Sequence, residues 1–185
     1  MTDPLPSPEL LRKLLRYEPE TGKLFWRERT PDMFDAGKRS PGGRCARWNT
    51  MFAGKSALAS PDKDGYLAGK IFNRMHRSHR VIWALHTGTW PVDQIDHVDG
   101  DRSNNRIENL REATLSENKC NSGAYKNNTS GYKGVSRDKD KKKWKAQIGK
   151  NGKLRHLGYF DCPQEAHAAY CAAAKEMHGK YANKG

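Results

Sequence analysis

Residues 95–110 read IDHVDGDRSNNRIENL, and the fold of the chain turns on this stretch. An apolar step (QIDHV, 94–98) gives way to a run of Asp, Gly, Ser and Asn, then to NLREA (109–113). Apolar segments bracketing a cluster of turn-forming residues predict two strands joined by a polar loop. TLSE follows at 114–117, with Thr and Glu three apart as in a capping box. A helix therefore starts there, with Asn118 in its first turn. The order is strand, loop, strand, helix.

This unit gathers one kind of chemistry. Cutting a phosphodiester with a single metal needs a water activator and hard oxygen ligands near one phosphate. Neutral imidazole, available near pH 7, suits the first role, and carboxylate and amide oxygens suit Mg²⁺. Asp96, His97 and Asn118 supply carboxylate, imidazole and amide. Neighbours on an ideal strand face opposite ways, so Asp96 and His97 line one site only where the strand ends or twists, which the following Asp-Gly allows. A calcium loop is the rival reading, since Asp99, Asp101, Ser103 and Asn105 alternate suitably. It fails because Asn104 stands where the turn glycine belongs and Leu110 where the bidentate Glu belongs.

Working outward, PELLRKLLRY (8–17) has helical apolar spacing, EPETG is a turn and KLFWRE a strand. Residues 30–62, rich in Gly, Pro and Arg, read as a long, partly irregular loop. GYLAGKIFNRMHRSHR predicts two strands turning near Asn73, and HRVIWALHTG a buried helix ending at Gly88. His76, His79 and His86 stay outside the catalytic set, with His79 read as a hydrogen-bonded structural residue. The small polar stretch 122–131 is the expected linker. Beyond it, GYKGVSRD, KKWKAQIGK and KLRHLGYF predict three strands, the last two joined by an Asn-Gly turn, and PQEAHAAYCAAAKEMHG predicts one helix.

The 185 residues suffice for one medium domain or two small ones, and a mean hydropathy of −0.98 leaves no apolar surplus for a membrane. The start, MTDPLPSPEL, lacks the pattern of a secretion signal, so the expectation is an intracellular protein. Net charge is +13, unevenly spread: residues 1–120 hold 20 Lys/Arg against 16 Asp/Glu, and residues 121–185 hold 14 against 5. A basic module of this kind is the footprint of a polyanion binder. Cys45, Cys120, Cys162 and Cys171 form no CxxC pair, which argues against a zinc ribbon or a disulfide framework. His167 and Cys171, one helical turn apart with Cys162 upstream, fit helix packing better than a metal site.

DHVDGDRSNNRIENL, with HRVIWALHTGTWP before it and SEN after it, resembles the HNH endonuclease family of phage and homing nucleases. The resemblance covers about residues 8–121, including LFWRE and WNTMFAGK. It implies a ββα-metal fold in which His97 is the general base, Asp96 and Asn118 hold Mg²⁺ or Mn²⁺, and Asn109 braces the loop through backbone hydrogen bonds. The third motif position is Asn rather than His. Residues from about 130 to 183 are similar to the APETALA-two/ethylene-response-factor DNA-binding domain, which reads the major groove with its sheet. By position this implies DNA contacts from Lys133, Arg137, Trp144, Lys145, Gln147, Lys150 and Arg155. Strand alternation sets Trp144, Ala146 and Ile148 on one face and Lys145, Gln147 and Gly149 on the other. His156 and Ser136 depart from the plant pattern, so plant sequence preference does not transfer.

The sequence thus predicts an α+β chain: an HNH endonuclease domain at 1–121 with its ββα core at about 93–121, a linker at 122–131, and a small three-stranded antiparallel sheet on one helix at 132–185. The expected function is metal-dependent hydrolysis of duplex DNA inside a bacterial or phage-infected cell, with no membrane and no obligatory protein partner. The alternative is a DNA-binding regulator on a non-cutting HNH scaffold. An RNA-binding or packaging accessory protein is a third class.

Overall fold

Pro8 takes the first helical position, and the Ser7 hydroxyl accepts a hydrogen bond from Leu10 N, so α1 (Pro8–Leu14) begins at a proper cap. The computed structural model describes residues 4–35, 37, 40–124 and 127–183. Residues 1–3 of the leader stretch and Tyr125 and Lys126 of the expected linker lie outside the described residues. The chain divides into two units, 1–111 and 112–185.

In the first unit α1 stops at Leu14, short of the expected residue 17. Leu15–Glu18 forms β1 and pairs antiparallel with β2 (Lys23–Trp26), Leu15 opposite Trp26. Pairing overrides the helical spacing there. The described residues of 30–62 correct the expectation of a long, partly irregular loop, while Ala36, Lys38 and Arg39 lie outside the described residues. They hold a 3₁₀ turn (Pro31–Met33), a twelve-residue helix α2 (Pro41–Phe52), and the two-residue strands β3 (Ser56–Ala57) and β4 (Ser60–Pro61). The Trp48 ring meets Trp26 edge-on at 5.7 Å, and Asn49 exchanges hydrogen bonds with the Arg29 backbone. Tertiary contacts thus hold a helix whose Gly42 and Gly43 disfavour it locally.

β5 (Leu67–Ile71) and β6 (Arg74–Arg77) form the expected hairpin, and α3 (Ser78–Thr87) ends in left-handed Gly88. Leu11, Leu14, Leu24, Ile71, Val81, Ile82 and Ile95 make the core on which these elements close. β7 (Gln94–His97) and β8 (Leu110–Ala113) form the two-stranded sheet.

The second unit begins within β8. α4 (Leu115–Asn121) carries the complete capping box of Thr114 and Glu117. β9 (Val135–Asp138), β10 (Lys143–Lys150) and β11 (Lys153–Phe160) pair in the order β11-β10-β9 and cover α5 (Pro163–His178). Asn151 and Gly152 take positive φ in the β10–β11 turn, as the Asn-Gly signal requires. Ala146 and Ile148 are buried among Ala166, Tyr170 and Ala174. Within this unit α4 is tied to the sheet module: Lys133 Nζ donates to Cys120 O, Asn183 Nδ2 to Asn121 O, and Ser116 Oγ to Asn151 Oδ1. All four cysteines are free, and Cys171 Sγ lies 3.4 Å from His167 Nε2. Among the described residues no helix is long and apolar enough to cross a membrane.

Candidate active site

The polar loop after β7 is a knot of its own side chains. Gly100 N donates to His97 O, with Gly100 at φ +79, so the Asp-Gly pair turns the chain directly after the histidine. Asp99 Oδ1 accepts from Asp101 N and Asn109 Nδ2, and Asp99 Oδ2 accepts from Asn104 Nδ2. Asn109 also accepts from Asp99 N at 3.0 Å and donates to Asn104 O at 2.8 Å, spanning the loop from its far end. These bonds favour ionised Asp99 and hold its carboxyl below the usual range, against the opposing effect of burial.

The β1–β2 hairpin holds the loop from behind. Tyr17 OH accepts from Ile107 N and donates to Asn105 O, and Arg106 Nε donates to Glu20 O. Gly22, at φ +70, lies so close that a Cβ there would meet Arg106 N at 2.6 Å. Only glycine fits.

His97 is 3% exposed, and its Nε2 lies 3.0 Å from Oδ1 of fully buried Asn105. Where Asn105 presents its oxygen, the tautomer that fits carries its proton on Nε2. Burial pushes the pKa of His97 down, with the Asn105 bond and nearby carboxylates opposing. The imidazole is therefore neutral near pH 7, as a base must be. His79 meets the ring edge-on at 5.1 Å, and Tyr66 packs on both histidines. Burial lowers the His79 pKa to about 3, and its Nδ1 has no hydrogen-bond partner among the described residues. His79 is thus a ring-packing residue rather than the hydrogen-bonded one expected. Arg77 and Arg102 lie over the Tyr66 ring, and Arg77 bridges Asp62 and Asp64.

Asp96, 4% exposed, enters different surroundings. Its Oδ2 accepts from Arg111 Nε at 2.8 Å and Nη2 at 2.6 Å. A cation there must share the carboxylate with the guanidinium or displace it. Asn118 stands on the first turn of α4, in the second unit, its backbone N bonded to Thr114 O. Among the described residues no three His, Cys, Asp or Glu side chains gather as a metal cluster. Carboxylate and amide oxygens are nonetheless hard donors suited to Mg²⁺, which keeps several waters and needs few protein ligands.

On the second unit's sheet, pairing sorts the expected DNA contacts. Lys145 and Gln147 stand on the face away from α5, opposite Ser136, Tyr159 and His156. Trp144 packs with Val135, Ala146 and Ala166, under the Arg137 guanidinium. Arg155 reaches Glu176 on α5 at 3.9 Å, and Lys150 Nζ bonds Met177 O. Lys133 is turned inward on Cys120 O and Asn183 O, and burial lowers its pKa. Five of the seven positions thus point to the helix side or inward, because the even-numbered face of β10 covers α5. His156 and Tyr159, packed in a tilted pair with centroids 4.6 Å apart on the open face, were outside the expected set. Asn105, Tyr17, Tyr66 and Arg111 are likewise additions, since no motif marks polar residues that act only through tertiary contact.

A hairpin loop built around a buried neutral histidine belongs with phosphodiester-cutting proteins, and a basic sheet on one helix with DNA-binding modules. Residues 76–120 match the HNH endonuclease family, and residues 130–180 match the AP2 domain. Protein 3.8 of Escherichia phage T7 is 33% identical over 114 residues, covering 61% of this chain and 93% of that protein. A protein of Acanthamoeba polyphaga mimivirus named as an uncharacterised HNH endonuclease is 33% identical over 122 residues, covering 65% of this chain and 62% of that protein. No solved structure matches. The chain belongs to the HNH endonuclease family and carries an AP2 domain after the nuclease motif.

Proposed function

We propose that the chain is a divalent-cation-dependent endonuclease that hydrolyses duplex DNA. The observation that carries this reading is His97: a buried imidazole, its pKa lowered by burial, hydrogen-bonded through Nε2 to Asn105. In the proposed step His97 takes a proton from the attacking water as the water oxygen bonds to phosphorus, and the P–O3′ bond breaks, O3′ taking a proton from solvent to leave as a 3′-hydroxyl. Bound Mg²⁺ or Mn²⁺ would stabilise the charge developing on the phosphate and on the leaving oxygen. Asp96 and, from the motif, Asn118 would hold that ion. Asn109 keeps the loop, and so the histidine, in place. The open sheet face, with Lys145 and Gln147 joined by Ser136, His156 and Tyr159, would dock the duplex. The setting that fits is DNA inside a bacterial or phage-infected cell. Purified protein should nick or linearise supercoiled plasmid with Mg²⁺ and fail with EDTA. Robust cutting in EDTA would overturn the one-metal reading.

One observation favours the non-cutting regulator as second reading: the Arg111 fork on Asp96 fills with a guanidinium the place a cation needs. On that reading the wild type binds duplex DNA but leaves plasmid intact under every divalent cation.

A further inference from the structure

The β5–β6 hairpin turns through two residues, Phe72 and Asn73, at φ +48 and +62. Asn tolerates the left-handed region, but a bulky side chain with a Cβ does so only at a cost. Such a residue persists where something other than local stability retains it. Phe72 is 58% exposed and Met75 58%, while neighbouring Ile71, 1% exposed, anchors the tip in the core. Lys70 and Arg74, both exposed, lie two residues before and after Phe72, and no Asp or Glu occurs between Gly65 and Val92. At the base of the hairpin Arg77 is clamped by Asp62 and Asp64, and two residues on His79 packs on His97. The hairpin that carries this exposed aromatic thus runs directly into α3, whose His79 packs on the candidate base.

We propose that Phe72 is a wedge that inserts between stacked base pairs of duplex DNA and locally unwinds them. Apolar side chains inserted between base steps kink and unwind duplexes, and phosphates complement the flanking cations. The proposal rests on DNA being the partner, and it is independent of whether the chain cuts.

The test uses the full chain in EDTA with relaxed closed-circular plasmid and a topoisomerase that needs no metal, at protein concentrations that saturate the plasmid in a gel shift. Wild type should leave the plasmid with an altered linking number after deproteinisation. Phe72→Ala should lose that change while still shifting the plasmid, and Phe72→Trp should keep it. Phe72→Asn, which relieves the backbone, should lose unwinding yet melt roughly 4 °C higher, a gain that an ordinary packing residue would not give. The wedge is wrong if wild type coats the plasmid without changing its linking number, or if Phe72→Ala unwinds as well as wild type. A halved solution mass for Phe72→Ala would instead make the tip a self-association contact and overturn the proposal. A parallel plasmid digest in Mg²⁺ reports on the nuclease reading separately: unwinding without cutting leaves the wedge standing, whereas a wild type that binds no duplex removes both.

Discussion

Removing Arg111 tests the metal reading from the side of stability. The Asp96 carboxylate is 4% exposed, and Arg111 grips one of its oxygens through two nitrogens. Breaking a buried ion pair by deleting one partner costs about 3–5 kcal/mol, because the remaining charge is left uncompensated. The Arg111 side chain keeps 15% exposure, which places Arg111→Ala near the low end, at about 3 kcal/mol. If Asp96 is a metal ligand, a divalent cation can replace the guanidinium. Mn²⁺ at about a hundred times its dissociation constant should then restore about 2.7 kcal/mol. Asp96→Asn/Arg111→Ala removes both charges, should cost less than Arg111→Ala alone, and should show no Mn²⁺ effect. Urea unfolding followed by tryptophan fluorescence is the assay, since Trp26, Trp48, Trp83 and Trp90 all lie in the first unit. Equal Mn²⁺ stabilisation of the single and double variants would refute Asp96 as the ligand. A loss below about 1 kcal/mol for Arg111→Ala would refute the buried pair itself.

His97→Ala should shift DNA in gels like the wild type but cut plasmid at least about a hundredfold more slowly, and normal cutting would remove His97 from the base role. His79, with its pKa lowered to about 3, is neutral in the folded chain while an unfolded histidine protonates below about pH 6.5. Its contribution is therefore complete above that pH and falls by about 1.4 kcal/mol per unit as the pH drops from 6.5 toward 3, a slope that His79→Phe should flatten in urea melts at several pH values. Lys145→Ala should weaken duplex binding and lower the salt slope by about one, whereas Arg155→Ala, on the helix side, should leave both unchanged in a salt titration. Gly22→Ala should cut the cleavage rate with little change in DNA affinity, since it displaces the loop behind Asn105; an unaltered rate would show that the hairpin does not hold the site.

Local chemistry made much of the fold legible. Thr114 and Glu117 announce α4, Asn151-Gly152 the last hairpin, and Gly88 the end of α3, because each satisfies a requirement of its own few residues. α2 carries no such signal: Gly42, Gly43, Asn49 and Thr50 disfavour a helix, and Trp48 and Asn49 find their partners outside it in Trp26 of β2 and Arg29 of the turn that follows. β1 hides for the opposite reason. LLRKLLRY continues the helical spacing through Leu15, and only pairing with Trp26 turns the chain into a strand. Alternation along β10 separates Ala146 and Ile148 from Lys145 and Gln147, and the DNA contacts carried over by position draw on both faces of the sheet.

The site shows the same division between motif and support. Asp96, His97, Asn109 and Asn118 are visible because their spacing is the motif's. The residues that give His97 its properties are not. Asn105 is one asparagine in a polar run, yet complete burial and a 3.0 Å contact make it the side-chain partner of the imidazole's Nε2. Its own backbone is held by Tyr17, more than eighty residues upstream, which also binds Ile107 N, and Gly22 lets the β1–β2 turn approach closely enough for that. The order of dependence runs from the N-terminal hairpin to the loop, from the loop to Asn105, and from Asn105 to the base. A polar loop of this composition is soft by itself. Held at Tyr17, Arg106 and Asn109, it becomes a fixed frame in which His97 stays neutral and oriented before any substrate arrives. Tyr17, Glu20 and Gly22 of the N-terminal hairpin, outside the matched motif, thus hold the frame around the motif's histidine.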